Sequence, residues 1–179
     1  DYLVPNQNLI RLYFADLGNS NSSEYSNNIP IDLFYKNSYS QTIYYGNEVN
    51  MGGLITKLRY KMDSYGDVPA DRGLKIWIGE TSLTSFASEN DWIPVSEMQL
   101  CFDSTYTFPP ESLSDIDIEL QTPYAYGGGN LVIAFNRTMD PQYYNSDNKF
   151  QVTVDTLETN RTLYFFNDTT EFDPLNPID

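Results

Sequence analysis

The sequence predicts an all-β protein: a jelly-roll-like antiparallel β-sandwich with two sheets and about ten strands. Tyrosine and phenylalanine are abundant, with 15 and 10 residues, and the chain contains 10 glycines and 10 prolines. Aromatic residues favour strands, whereas glycine and proline end them. Turn-forming residues recur roughly every 8 to 15 positions between short apolar segments, which is the spacing typical of a sandwich.

Individual strands follow from short alternating or apolar segments, at residues 9–14, 29–34, 41–45, 54–62, 74–78, 98–106, 114–120, 130–135, 150–154 and 162–166. Segment 130–135 is apolar throughout most of its length, which predicts a central strand covered on both faces. Segment 114–120 alternates apolar with acidic residues, which predicts one buried and one solvent-facing side. We predict an N-terminal extension at residues 1–28, with a candidate donor or edge strand, and a sandwich domain at residues 29–179.

The clearest strand pair lies within residues 52–86, and we predict a hairpin closed by the turn-rich loop at residues 63–69. Its first strand alternates between the core and basic residues, with Leu54, Thr56, Leu58, Tyr60 and Met62 inward and Lys57, Arg59 and Lys61 outward. Its second strand places Leu74, Ile76 and Ile78 inward. A similar period of two in segment 98–106 places Leu100 and Phe102 inward.

The chain is strongly acidic, with a net charge of −15 and a pI near 4.1. Phosphate backbones and anionic membrane surfaces are repelled by such a protein, so nucleic acid is excluded as a partner. No apolar run is long enough for membrane insertion. The chain begins at Asp1 rather than Met, as expected after removal of a leader, so we expect a secreted protein that is extracellular or held at the cell surface.

The residue types exclude several catalytic mechanisms. There is no histidine, which rules out Ser-His-Asp and Cys-His catalysis. The single cysteine, Cys101, has apolar neighbours, as expected of a buried structural thiol. A glycosidase with two carboxylates stays open because Asp115, Asp117 and Glu119 follow one another along a strand, although solvation of that face is the alternative. We predict that the protein is not an enzyme.

Calcium is the one cofactor that the sequence suggests. Asp63, Asp67 and Asp71 lie in one predicted loop, and Ca²⁺ is bound by carboxylates together with backbone carbonyls. Two further loops are candidates; they contain Asn145, Asp147 and Asn148, and Asn47 with Glu48. None of the spacings matches an EF-hand, and ordinary turn chemistry is the alternative for each loop.

Two kinds of binding surface are predicted. Tyrosine rings could present flat faces to a glycan, and the candidates are Tyr124, Tyr126, Tyr143 and Tyr144, with Trp77 and Trp92 as further rings. Core packing is the alternative for all of them. A loosely tethered apolar strand could instead pair with the edge of a neighbouring molecule, and its candidate residues are Leu9, Ile10, Leu12 and Phe14. Repeated pairing of this kind would build a filament from copies of the chain.

Several short sequence segments occur in the same order as in the cleaved-adhesin, or gingipain-adhesin-like, jelly-roll modules of secreted bacterial surface proteins, which this chain therefore resembles. They are IPI at 29–31, SQTIY at 40–44, EV at 48–49, GLIT at 53–56, KIWIGET at 75–81, Phe86, DWI at 91–93, PYAY at 123–126 and GNLVI at 129–133. The resemblance covers roughly residues 29–160. It implies a non-enzymatic sandwich that binds partners or displays other domains, with structural calcium in its loops.

The function expected from the sequence is therefore a non-enzymatic extracellular adhesion or assembly module. In this interpretation the protein is a structural subunit of a surface filament built by strand addition, with copies of itself or other surface proteins as partners. The alternative is a carbohydrate-binding module of a larger secreted protein. A glycosidase with a carboxylate pair is the third hypothesis.

Overall fold

Two antiparallel β-sheets pack face to face, which confirms the predicted all-β sandwich. The computed structural model describes residues 13–18, 23–154 and 160–177. A one-turn helix, α1 (Gly46–Val49), and a 3-10 turn at Val95–Glu97 accompany the strands. The nine strands in this part of the chain are β1 (Tyr25–Ser26), β2 (Asn37–Tyr44), β3 (Gly53–Asp63), β4 (Arg72–Thr81), β5 (Gln99–Tyr106), β6 (Ser114–Tyr126), β7 (Asn130–Arg137), β8 (Lys149–Gln151) and β9 (Thr162–Asn167).

The strand order is that of a jelly roll with one extra strand. One sheet has the order β1-β8-β3-β6, and the other has the order β5-β4-β7-β2-β9. β1 therefore pairs with β8, β2 with β7, β3 with β6 and β4 with β5, so that the first half of this set folds back on the second. β9 follows the nested set and pairs with β2. It forms one edge of the five-stranded sheet.

The predicted hairpin between β3 and β4 is wrong. β3 pairs with β6 and β8, whereas β4 pairs with β5 and β7 in the other sheet. Residues 64–71 thus carry the chain from one sheet to the other. Alternation along a strand reports only which side faces the core, and two strands that face each other across a core show the same pattern as two hydrogen-bonded neighbours.

The inward side chains of both sheets form one core. The predicted inward positions of β4 and β6 and the burial of Cys101 are confirmed, and β7 is buried along nearly its whole length, as expected of a central strand. Phe150 of the short strand β8 fills one end of the core. The main contributors are Leu74, Ile76, Ile78, Ile116, Ile118, Leu131, Ile133, Phe135 and Phe150.

An irregularity in the pairing of β3 with β6 changes which side chains of β3 face inward. The register with β6 shifts between Ile55 and Lys57. Ile55 therefore packs against the core, while Leu54 and Thr56, both predicted inward, are exposed. At this point Thr56 alone lies opposite residues 120–123 of β6, so the inward direction along β3 changes, and regular alternation does not anticipate this.

A bulge affects β5. Ile76 pairs with Phe102, but the next residue of β4, Trp77, pairs with Leu100, so Cys101 is the extra residue. Cys101 and Phe102 are both buried, and Leu100, predicted inward, is 41% exposed. The bulge places Leu100 on the outside of an edge strand.

The outer face of the five-stranded sheet is covered by a second apolar layer. Tyr39 of β2 stacks on Phe172 with ring centroids 4.3 Å apart, and Trp92 lies 5.1 Å from Tyr39. Phe165 of β9 lies 5.0 Å from Phe172, and Trp77 packs against the same cluster. The loop after β4 and the C-terminal segment thus support the sheet from behind. Both tryptophans belong to this packing, which was the alternative to sugar binding.

Residues 29–34 form a buried loop and not the predicted strand. Ile31 and Leu33 are enclosed in the main core. Two serines of β2 satisfy the loop backbone, because Ser40 donates its hydroxyl to the Pro30 carbonyl at 2.5 Å and Ser38 donates to the Asp32 carbonyl at 3.2 Å. The apolar pattern here indicated burial correctly but did not indicate strand pairing.

Several boundaries differ from the prediction. β2 begins at Asn37, before the predicted start at residue 41, and β6 continues to Tyr126, beyond residue 120. β1 pairs with β8, so the sandwich already includes residues that the sequence assigned to the extension. Within the described ranges α1 is the only α-helix, and no helix there has the length and apolarity needed to cross a membrane.

Candidate functional site

A candidate edge for a partner strand is β9. Among the described strands, β9 pairs only with β2. In an antiparallel pair, alternate residues direct their N–H and C=O groups away from the partner. The far side of β9 therefore presents a row of backbone donors and acceptors, which is a template for another strand.

A row of aromatic rings continues from β9 across neighbouring loops. The rings of Tyr164 and Phe166 lie 6.1 Å apart with nearly parallel planes. Phe166 stacks on Tyr35 at 4.2 Å. Phe34 then lies 5.1 Å from Tyr35 and 5.6 Å from Tyr143. Tyr164 and Tyr143, at the two ends, are each 50% exposed. We call these five residues the aromatic row; it gives the β9 edge an accessible apolar flank.

Most of the predicted partner strand lies outside the described residues. Leu9, Ile10 and Leu12 fall there, so their prediction is not tested. Phe14 is described, has no regular secondary structure and is 71% exposed. Leu17 packs against the core between the sheets. The described part of the extension is therefore anchored at Leu17 and exposes an aromatic side chain before it.

The three predicted calcium ligands do not form one group. Asp63, at the end of β3, accepts a hydrogen bond from Ser112 Oγ at 2.7 Å. Asp71 accepts one from Thr107 Oγ1 at 3.0 Å. In the part of the chain that the structure describes, no three or more His, Cys, Asp or Glu side chains are grouped so that they could hold a metal ion. Calcium binding stays a prediction.

The second predicted calcium loop packs against the first by hydrogen bonds. The side-chain amide of Asn148 donates to the Asp67 carbonyl at 2.5 Å. Asn145 accepts the Asp147 N–H through its side chain at 2.9 Å, which is an Asx turn. These contacts are the turn chemistry that was the alternative to metal binding.

Protein cations lie next to two of the predicted calcium ligands. Lys149 Nζ lies 3.9 Å from the Asp63 carboxylate. Arg161 Nη1 donates to both carboxylate oxygens of Glu48, at 2.9 and 2.8 Å. These side chains supply positive charge at the positions where the sequence suggested Ca²⁺.

The four predicted ligand-binding tyrosines do not form one platform. Tyr126 is buried and donates its hydroxyl to the Gly129 carbonyl at 2.5 Å, and Tyr124 packs against the main core. Tyr144 is also buried, so of the four only Tyr143 is exposed. β7 lies between the two pairs in the chain, because Tyr126 precedes its start and Tyr143 follows its end. Burial removes Tyr126 and Tyr144 from the surface, and a ligand-binding role for Tyr124 and Tyr143 stays a prediction.

A buried ionic network lies beneath the loop that follows β7, and the sequence analysis missed it. Arg137 is 1% exposed, and its Nη2 lies 3.4 Å from Asp140 Oδ2. The same carboxylate oxygen lies 2.9 Å from Arg72 Nε and accepts the hydroxyl of Tyr144 at 2.9 Å. Arg137 also donates to the Tyr35 carbonyl. The network therefore holds the loop and the backbone of the aromatic row together.

Burial lowers the pKa of Arg137, and the Asp140 carboxylate counteracts that effect. A buried cation is retained only where a carboxylate and hydrogen bonds compensate for its lost hydration. An arginine at the end of an apolar strand, three residues before an aspartate, is the signal that could have indicated this network.

The acidic face of β6 is paired with the basic face of β3, which confirms the outward direction predicted for both. Arg59 Nε lies 2.5 Å from Asp117, and Lys57 Nζ lies 2.6 Å from Glu119. The hydrogen bonds of Arg59, and then of Lys57, lower the pKa of Asp117 to about 2. A glycosidase needs a carboxylic acid with a raised pKa as its proton donor. The environment of Asp117 is of the opposite kind.

Comparison of the chain with family models, with curated proteins and with solved structures found no match. The resemblance to adhesin modules therefore stays a prediction.

Proposed function

We propose that the protein is a non-enzymatic extracellular adhesion and assembly module in which β9 accepts a strand from another copy or another surface protein. The observation that carries the proposal is the position of β9 at the sheet edge, beside the exposed end of the aromatic row. Strand addition uses the outward backbone groups for affinity and neighbouring side chains for specificity.

The predicted donor at residues 9–14 complements this edge. Its side chains are mostly aliphatic or aromatic, and Tyr164 and Phe166 are aromatic partners on the acceptor. Each cross-strand pair of this type contributes about 0.2–1 kcal/mol, in addition to the backbone hydrogen bonds. If each copy offers a donor and an acceptor, addition proceeds head to tail and produces an open filament.

Charge opposes this association. Each copy has a net charge of −15, so copies repel one another at low ionic strength. The attraction must therefore come from backbone hydrogen bonds and apolar contact. Assembly should accordingly be assayed in at least physiological salt.

Removing residues 1–14 tests the donor. The truncation retains Leu17, which packs on the core. We expect a folded monomer that no longer polymerises, as measured by analytical ultracentrifugation and electron microscopy, with an unchanged circular dichroism spectrum. A synthetic peptide of residues 1–14 should then bind the truncated protein in a one-to-one complex. Filaments that persist after truncation would contradict the proposal.

Tyr164→Glu tests the acceptor. A charge at this exposed position on β9 should weaken peptide binding at least tenfold, because edge charges oppose strand pairing. The matched control is Leu100→Glu, which places the same charge on the opposite edge strand, β5, at a residue of similar exposure. We expect the control to bind the peptide as the wild type does. Equal losses in both variants would exclude β9 as the acceptor.

A further inference from the structure

A shallow cavity of about 410 Å³, broadly open to solvent, lies where β2 ends and β7 begins. The residues that line it are Tyr45, Gly46, Asn47, Thr84, Gly128, Gly129 and Asn130. Cavities of 300–1,000 Å³ are the size of typical small-ligand sites. The cavity is separate from the aromatic row, which shares none of these residues.

The ring of Tyr45 is held from several sides. Its hydroxyl donates to the Thr84 carbonyl at 3.0 Å. The guanidinium carbon of Arg161 lies 4.3 Å from the ring centroid, and Arg161 is itself fixed by Glu48. Glu48 also accepts the backbone N–H of Tyr45 at 2.9 Å. A ring fixed in this way loses little conformational entropy when a ligand stacks on it.

The glycine turn that lines the cavity is also held in place by hydrogen bonds. Glu80 accepts the N–H groups of Gly127 and Gly129 at 3.0 and 2.7 Å, so its carboxylate holds the glycine turn. A Cβ on Gly46 would lie 2.6 Å from the Gly128 carbonyl oxygen, so only glycine allows α1 to approach the turn this closely. The cavity therefore depends on close backbone contact that side chains would obstruct.

The chemistry of the walls selects a neutral, hydroxyl-rich ligand. The side chains that line the cavity are uncharged. The nearby charges of Arg161, Glu48 and Glu80 are engaged with one another or with the backbone. A net charge of −15 disfavours anionic ligands. One amphipathic ring combined with amide, hydroxyl and carbonyl groups suits a pyranose, which has an apolar face and a rim of hydroxyls.

We propose that this cavity binds a neutral oligosaccharide, with one sugar ring stacked on Tyr45 and its hydroxyls bonded to Asn47, Thr84 and the glycine turn. The site differs from the four tyrosines that the sequence suggested. It goes beyond strand addition, because it gives the module a second partner class at a separate surface.

The test is isothermal titration of the full chain with neutral tetraoses of glucose, mannose, galactose and xylose, with a tetragalacturonate as the anionic comparison. We expect at least one neutral tetraose to bind and the anionic one not to bind. Tyr45→Ala should weaken binding about tenfold, the scale of one lost aromatic contact. Tyr45→Phe, which keeps the ring, should stay within a few-fold of wild type. Asn47→Ala changes an exposed side chain and should weaken binding severalfold.

The matched control is Tyr143→Ala, which removes an exposed ring outside the cavity and should leave sugar affinity unchanged. The proposal is overturned if no neutral tetraose binds, if the anionic tetramer binds more tightly, or if Tyr45→Ala and Asn47→Ala both retain wild-type affinity. Strand addition is scored separately, because Tyr45→Ala should still polymerise and Tyr164→Glu should still bind the sugar.

Discussion

The two edge strands of the five-stranded sheet, β5 and β9, have different neighbours. At the β5 edge, β6 of the other sheet lies alongside. Gln121 Oε1 of β6 accepts the backbone N–H of Asp103 at 2.7 Å, and Tyr106 donates its hydroxyl to the Asp117 carbonyl at 3.2 Å. At the β9 edge, the described residues include no second strand. One edge is sealed by hydrogen bonds to the opposite sheet, and the other has no such neighbour among the residues that the structure describes.

The difference shows how an edge strand is supported when the described part of the chain places no second strand beside it. β9 is supported from behind, where Leu163 and Phe165 pack into the apolar layer on the outer face of the sheet. Natural proteins usually cover or charge an exposed edge to prevent association. Here Tyr164 and Phe166 make the edge apolar, which favours association.

The largest expected effect is at the support behind the β9 edge. Phe172→Ala should lower the free energy of unfolding by about 3–5 kcal/mol, because it removes a buried ring that stacks on Tyr39 and packs on Phe165. Urea denaturation measures the change, and hydrogen exchange should accelerate more in β9 than in β5. The matched control, Tyr164→Ala, removes a half-exposed ring of the same region and should cost far less. Equal losses would mean that the C-terminal segment does not support β9.

A smaller effect is expected at the sealed edge. Gln121→Ala removes the acceptor of the Asp103 N–H and should cost about 1 kcal/mol of stability. Amide exchange at Asp103 should become faster, as measured by NMR. Gln142→Ala, at an exposed glutamine in the loop after β7, is the control and should change neither quantity. If the Asp103 amide remained protected from exchange in Gln121→Ala, the contact between β5 and β6 would not depend on this hydrogen bond.

The smallest effect concerns the ion pairs on the outer face of β6. The pKa of Asp117 falls from its ordinary value of 3.8 to about 2, so its stabilisation is present above pH 3.8 and is lost as pH decreases towards 2. Because the group is partly exposed, Asp117→Asn should cost only about 0.5 kcal/mol at neutral pH and almost nothing near pH 2. Urea denaturation at both pH values tests this, with the exposed Glu89→Gln as the control. A cost that is independent of pH would contradict the lowered pKa.

Regular alternation was a reliable guide wherever the strands are regular. It placed Leu74, Ile76 and Ile78 in the core and the charges of β3 and β6 outside, as the structure confirms. It failed for Leu54 and Leu100, because the pairing register shifts beside each of them. A register shift leaves no compositional signal.

Site prediction was limited by the same lack of long-range information. The tyrosines were grouped by residue type, yet Tyr126 and Tyr144 are buried by contacts with residues distant in the chain. The cavity at Tyr45 was not predicted, since it forms only where α1 meets the glycine turn more than 80 residues later, as the bond from Gly46 N to Asn130 Oδ1 shows. Contacts of this kind between distant segments depend on the order of the strands in the two sheets.

The sequence by itself determined the class of the fold, the central position of β7, the buried thiol of Cys101 and the absence of histidine chemistry. These features depend on local periodicity and on composition, which each segment contains. The tertiary structure decided the nested strand order, the crossover between β3 and β4, the position of β9 at a sheet edge and the cavity beside Tyr45. Those depend on pairings between distant segments, which hydrogen-bond geometry and core packing select only when the whole chain is folded.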